Sequence, residues 1–425
     1  MIKQTRRNYR PADIPAGRSR LGLRVLLCLL SAFSVSRATE VNLTAAYELA
    51  LAKSESLQIN VAEWRAAEAR YRQAIGAMWP EVSAKGDARL INEPNNDTRR
   101  AGVGATWTVF DGFRNARIAE ARQSEGFARS HDVEQARLLL YEDVADVFYQ
   151  VRSFQDQRAA SQEQLKALTS RAEELGRRIK LGRSKMSDLL TTSNQMAEVR
   201  ITMEQLNQSC AASLELLAFM TGQPATSLQV VDQTPLPAIG EVDKYLIAAA
   251  DRADIKSGEA AVEASRLDMK AAQSDRAPKV TLDANSYLYR DPQTQNEWDI
   301  VLSLEIPLFD KGRRLARVAE AGQHLRISEL RLAELQRSSE RDVRQTYQSL
   351  FYELKQWSEL QTAIGISSDT LALLQKDYEL GRVNNLDVLT ASVQYWGLRR
   401  REAALANQLR ADMIHLHVAA GKVSP

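Results

Sequence analysis

The residues best able to do chemistry in this 425-residue chain are scattered. Four histidines, His131, His324, His415 and His417, fall in three separate places. His415 and His417 are two residues apart, so on a helix they point in different directions and cannot share a metal. Paired carboxylates are frequent, but they recur at helical spacing and read as solvated faces with i,i+4 partners. Gly102-Val-Gly104 lacks the remaining glycine and the strand-to-helix setting of a nucleotide loop. No nucleophile elbow and no Ser/His/Asp grouping stands out. The expectation is a protein that is not an enzyme and holds no metal and no cofactor.

The N-terminal 38 residues differ from the rest. Lys3, Arg6, Arg7, Arg10, Arg18, Arg20, Arg24 and Arg37 stand against the single acid Asp13, and an apolar run, Val25–Val35, precedes Ser36-Arg37-Ala38. A basic stretch, a short apolar core and small residues at −3 and −1 make a secretory signal cleaved after Ala38. The other reading, a membrane anchor, suffers from a core of about 11 residues where a span needs roughly 20. Leu27 before Cys28, where a lipidated cysteine needs a small residue, argues against a lipoprotein. Removing 8 of the 56 basic and 1 of the 54 acidic residues leaves 48 against 53, a net charge of −5. That balance removes the main support for a nucleic-acid partner. Cys210 alone remains, so no intramolecular disulfide is available.

The elements that position everything else are written twice. Leu181-Gly-Arg183 returns as Leu380-Gly-Arg382, 199 residues on, and at the same offset Asp188-Leu-Leu190 matches Asp387-Val-Leu389 and Gly222 matches Gly421. Phe110-Asp111 matches Phe309-Asp310, Ala116–Ala121 matches Ala316–Ala321, and Pro80 matches Pro278 within one residue of that offset. The repeats are 39–222 and 241–425, divided by a linker at 223–240 that holds Pro224, Pro235 and Pro237. Each opens with a helix of about 35 residues (43–78, then 242–276) that must stop at Pro80 or Pro278, because proline cannot continue a helix but can begin a strand. Two strands follow (about 80–91 and 99–110, then 278–290 and 297–309), joined by the polar turns 92–97 and 291–296. A helix of about 67 residues and a shorter closing one (about 186–221, then 385–420) complete each copy.

The strands alternate. Val82, Ala84, Ala88 and Leu90 oppose Glu81, Ser83, Lys85, Asp87 and Arg89, while Ile300, Leu302, Leu304, Ile306 and Leu308 form the most apolar edge. Their length of about 11 residues suits a tilted membrane strand, and equally an ordinary antiparallel sheet with one wet face. The long helices carry a seam, Leu140, Val144, Val147, Val151, Phe154 and Arg158, continued in kind by Val343, Tyr347, Leu350, Leu354, Trp357 and Ile364. A repeat averaging 3.5 residues means helices supercoiling on partners. At 1.5 Å per residue such a helix runs roughly 100 Å. The two shorter helices of a copy could stack end to end beside it.

Four strands cannot close a barrel, and an open edge in a membrane strands backbone polar groups at several kcal/mol each. Spanning barrels start at about eight strands. Three chains would supply 12. The combination favours a mainly α class with a membrane β-barrel part, the barrel continuing into a hollow helical tube.

Over positions 40–422 the chain resembles the TolC family of outer-membrane factors. The carriers are the duplication, Pro80 and Pro278, the strand-to-helix turns Val109-Phe-Asp111-Gly112 and Leu308-Phe-Asp310-Lys-Gly312, and the two Leu-Gly-Arg turns. The resemblance implies a homotrimer forming a 12-stranded outer-membrane barrel, in contact with outer-membrane lipid and continued by a periplasmic α-helical barrel, as an exit channel for efflux or type I secretion. It also implies docking to a periplasmic adaptor joined to an inner-membrane pump of RND or ABC type. On this reading Leu181, Gly182, Arg183, Leu380, Gly381 and Arg382 form the adaptor-docking tips. Ser187, Asp188, Tyr378, Asp387 and Thr390 belong to the periplasmic gate. Asp188 and Asp387 equally suit simple capping at the start of a helix. Thr390 stands where an acidic ring is often placed, and Val383 where a basic gate partner is expected, so the tip is less charged than the family pattern. The rival reading is a periplasmic adaptor or coiled-coil scaffold without channel activity. An adaptor would carry one hairpin, more β-structure and no duplication.

Overall fold

A computed structural model describes residues 39–89, 98–290 and 297–422. The signal segment 1–38 and the turns expected at 92–97 and 291–296 lie outside these described residues. In order come β1 (Thr39–Val41), α1 (Leu43–Lys53), α2 (Glu55–Gly76), β2 (Glu81–Arg89), β3 (Thr98–Phe110), α3 (Arg114–Lys180) and α4 (Met186–Thr221). The second repeat follows as β4 (Leu228–Val230), α5 (Val242–Ala249), α6 (Ala253–Ser274), β5 (Lys279–Arg290), β6 (Trp298–Glu305), α7 (Arg313–Glu379) and α8 (Asn385–Ala419).

The first helix of each repeat is broken rather than continuous. Ser54 leaves the helical region (φ −58°, ψ 112°) and its Oγ accepts from the Leu57 N–H, starting α2 afresh. In the second copy the break falls at Arg252, whose guanidinium bonds Asp254 and the Ala419 carbonyl of α8. Both breaks let the chain bend around its long neighbour. Tyr47 of α1 meets α3 through Tyr141 and the Arg137 carbonyl, α2 reaches it through Glu63 to Arg129, and α4 joins further along through Ser213 to Gln150. The shorter helices thus share the length of α3 between them.

The linker is more than a spacer. β4 pairs in parallel with β1, Thr39 against Leu228 and Val41 against Val230. The pair caps the main core, where Val41, Ala46, Val144, Phe148, Val151, Leu217 and Val230 are buried together with Ile414 of α8. A second core joins Ala249, Val343, Leu350, Leu409 and Leu416, with linker residues Leu236 and Ile239 against it.

The remaining strands form one antiparallel sheet in the order β2-β3-β5-β6. Its final strand ends at Glu305, short of the expected 309. Pro307 has no N–H to continue the ladder, so Ile306 and Leu308 fall beyond it. Val280, Leu282 and Ala284 pair with Leu304, Leu302 and Ile300 on one face, while Thr281, Asp283 and Asn285 pair with Ser303, Val301 and Asp299 on the other.

Helices follow the same lateral order as strands. α2 and α4 pack on one side of α3, α6 and α8 on its other side, and α7 lies beyond them. α3 buries 16 of its 67 residues and α7 only seven of 67. An outer helix covered on one side only accounts for that difference.

Candidate functional site: helix tips and the polar face of the sheet

At the far end of both long helices the chain reverses through a Leu-Gly-Arg turn. Gly182 (φ 69°) and Gly381 (φ 71°) take the left-handed conformation that costs a glycine least. Each closes the helix with paired bonds, Arg183 N–H to the Arg178 carbonyl and Arg382 N–H to the Asp377 carbonyl, both six-residue loops typical of glycine caps. Leu181 and Leu380 stay 68% and 57% exposed at the two apices. Arg183 is exposed, and Arg382 lies 3.4 Å from Asp377 in the last turn of α7.

Behind the apices the two hairpins are tied together. The Arg171 guanidinium of α3 lies 3.8 Å over the Tyr378 ring of α7, with Arg178 at 5.1 Å. Ser184 Oγ donates to Asp188 Oδ2 (3.0 Å) and stands 3.4 Å from the Tyr378 hydroxyl. Arg171 also donates twice to Asn385 Oδ1 of α8 (3.1 and 3.2 Å), and Asn385 Nδ2 returns to the Asp188 carbonyl (3.2 Å) and to Thr192 Oγ1 (3.3 Å). Asn385 and Thr192 are buried, and Leu175, Tyr378 and Val388 pack against Val383 below them. Burial works against the Arg171 charge, which the Tyr378 ring and Glu174 favour in turn.

Of the residues read from sequence, Asp188 and Tyr378 meet in this network, while Ser187 is exposed and Ser184 fills its place. Asp387 serves as a reciprocal cap with Asn384, as its position at the start of α8 suggests. Thr390 is exposed, its hydroxyl donating back to the Leu386 carbonyl. Arg171, Ser184, Thr192 and Asn385 escape sequence reading. Their partners lie up to 214 residues away, and nothing in their local pattern marks them.

At the other end, the junction residues re-aim the chain from sheet to helix. Asp111 accepts from the Arg114 and Asn115 N–H groups (2.9 and 3.0 Å), and Asp310 from those of Gly312 and Arg314 (both 3.1 Å). Both carboxylates therefore sit at the positive ends of the long helices. Gly112 (φ 69°) and Gly312 (φ 81°) turn the corner; a Cβ on Gly112 would stand 2.4 Å from Ala277 Cβ. Pro80 and Pro278 stand just before β2 and β5.

The polar face of the sheet carries a crossing chain of bonds. Lys85 Nζ of β2 reaches over β3 to Thr106 Oγ1 and to Asn285 Oδ1 of β5 (both 3.4 Å). Thr106 donates to Asp283 (2.7 Å), and Asn285 and Tyr287 donate to Asp299 of β6 (2.9 and 2.7 Å). Gly104 makes room: a Cβ there would lie 2.8 Å from Lys85 Nζ and 2.5 Å from Asn285 Oδ1. Gly102 likewise would strike the Ser286 carbonyl at 2.1 Å. The glycine pair thus serves close packing. On the opposite face Val82, Ile300, Leu302 and Leu304 are exposed, an apolar surface that a soluble chain would cover.

The sequence model for outer membrane efflux proteins matches residues 46–223 and again 245–422. The outer membrane protein VceC from Vibrio cholerae superposes with a TM-score of 0.79 at 19% identity, over 89% of this chain and 96% of VceC. The CmeC outer membrane channel of Campylobacter jejuni does so at 0.77 and 14% identity, over 97% and 94% of the two chains. The open-state MtrE outer membrane channel of Neisseria gonorrhoeae gives 0.74 and 18%, over 92% and 93%. No curated protein sequence matches the chain.

Proposed function

The chain belongs to the outer membrane efflux protein family, whose members are channels of the outer membrane that extend into the periplasm, and we propose that it is one third of a homotrimeric exit duct. The open lateral order carries this reading. β2 with α2 and α4 forms one free side of the chain, and β6 with α7 forms the other. Joining such sides around a threefold axis closes both layers at once, giving 12 strands from four per chain. Closure satisfies the outer strand edges, which a membrane leaves without partners. The apolar face then meets lipid, and the Lys85–Asn285–Asp299 face lines the lumen.

The hairpin tips are the docking points for a periplasmic adaptor and, through it, an inner-membrane pump. They offer an exposed leucine, an open glycine backbone and an arginine in two non-identical copies. The Arg171–Tyr378–Ser184–Asp188 network holds the two hairpins together and is the latch that opening must break. The duct is passive, not an enzyme, and its cargo is set by the pump. Purified trimer in planar bilayers tests the duct. Steps of conductance are expected; a folded, inserted protein that never conducts, even with the latch mutated, would refute it and favour a scaffold.

A further inference from the structure

Midway along the helical layer three helices bring their ionisable groups together. His415 of α8 places Nε2 2.6 Å from Asp146 Oδ1 of α3 and Nδ1 3.2 Å from Asp412 Oδ1 of its own helix. Neutral imidazole has one acceptor nitrogen, and an acceptor cannot face a carboxylate oxygen favourably. With carboxylates at both nitrogens, His415 is an imidazolium donating twice. Asp412 is buried and faces the Glu353 carboxyl of α7, and Gln408 donates to its Oδ2 (2.9 Å). Two facing carboxyl groups favour a proton on one of them. Glu353 Oε2 is buried with no hydrogen-bond partner, a position a neutral carboxyl tolerates far better than a carboxylate. The proton therefore resides on Glu353.

We propose that Glu353, Asp412, His415 and Asp146 form a proton-charged clasp that fastens the second repeat to the first and opens as its protons are lost. The clasp ties α7 through α8 to α3, so its release frees the α7–α8 hairpin to move against α3. Other charges face it. Glu142 of α3 lies 4.0 Å from His415 Nε2, Asp143 acts on Glu142, Asp146 acts on Asp143, and Arg252 from the α5–α6 break acts on Glu142. Burial first, then Asp412, raises the Glu353 carboxyl to about 8, while burial raises Glu142 and Asp143. The His415 pKa rises to about 10; burial opposes its charge, but the bonds to Asp146 and Asp412 outweigh it.

Each raised group binds its proton more tightly folded than unfolded, so each contribution weakens as pH rises. The Glu353 share is whole below its ordinary 4.5 and lost through about 8. The His415 share is whole below 6.5 and lost through about 10. The clasp therefore weakens steadily from mildly acid pH upward and fails on the alkaline side.

Histidine-selective NMR of the full-length wild-type protein in detergent tests this directly. At pH 8 an ordinary imidazole is neutral by roughly thirtyfold; His415 is expected to remain doubly protonated, and a midpoint near 6.5 would overturn the clasp. Thermal melting of the helices supplies the second arm. Wild type should lose several degrees between pH 6.5 and 8.5, whereas Glu353→Gln, which still donates to Asp412 but cannot ionise, should keep only the His415 share of that loss. Identical pH slopes would also overturn it. If Glu353→Gln does not fold, the wild-type histidine titration decides alone. Neither readout requires conduction, so failure of the clasp and failure of the duct appear in different measurements.

Discussion

The proposed latch, with Arg171 close over the Tyr378 ring and Arg178 further off, should be sensitive to single side chains. Arg171 serves both the Tyr378 face and Asn385, so Arg171→Ala removes a cation–π contact and two hydrogen bonds together. For a mostly buried side chain this is worth about 2 kcal/mol, or ~30-fold in a two-state equilibrium. Single-channel recordings should show the open state favoured by about that factor; unchanged open probability would remove the network from gating. Thr390 offers the converse change. It is exposed on the second turn of α8, and in a trimer Thr390→Asp would place three carboxylates near the duct's end. Reversal potentials under a salt gradient should shift toward cation selectivity, and unshifted potentials would place Thr390 away from the conduction path. The same scale shows where sequence reading stops. Tyr378 and Asp188 are reached through the family resemblance at the Leu-Gly-Arg turns. Ser184 is not, since only the fold shows which serine of the turn reaches the tyrosine.

At the scale of elements, the duplication was legible because proline and glycine act locally. Pro80 and Pro278 must end helices, and Gly182 and Gly381 must reverse them, wherever they stand. The breaks at Ser54 and Arg252 were not legible. Neither residue stops a helix by itself; each break follows from the need to curve α1 and α5 onto long neighbours. The β1–β4 pair was hidden for a related reason, three-residue strands being too short to alternate. The tips make a testable element. Changing Leu380 and Arg382 together to Glu alters only exposed side chains. Trimer yield and melting should stay within about 0.5 kcal/mol of wild type, while export falls by at least tenfold in cells. Wild-type export would refute docking at that tip.

For the whole molecule, the question is what covers the two free sides. Phe219 of α4 is 76% exposed and Leu373 of α7 is 65% exposed, each on an outer helix of the layer. A ring buries such residues between neighbours, where a charge costs several kcal/mol unless paired. Phe219→Glu combined with Leu373→Glu should therefore leave helical content intact while shifting the mass in detergent from trimer to monomer. A trimer that survives both changes would move the contact elsewhere. The sequence supplied four strands per chain and the impossibility of leaving their edges open; it could not supply the lateral order of the helices, which depends on packing across the repeats.

The pairing of β1 with β4 has a consequence for how the chain comes into being. β1 is synthesised first among the described elements, yet its partner follows about 190 residues later. During export through a membrane, β1 and the apolar patch it caps must wait while the whole first repeat emerges. Contacts so distant along a chain are slow to form. The exposed interval is one in which an escort protein would find its substrate, and it ends only when the first residue of the linker strand arrives.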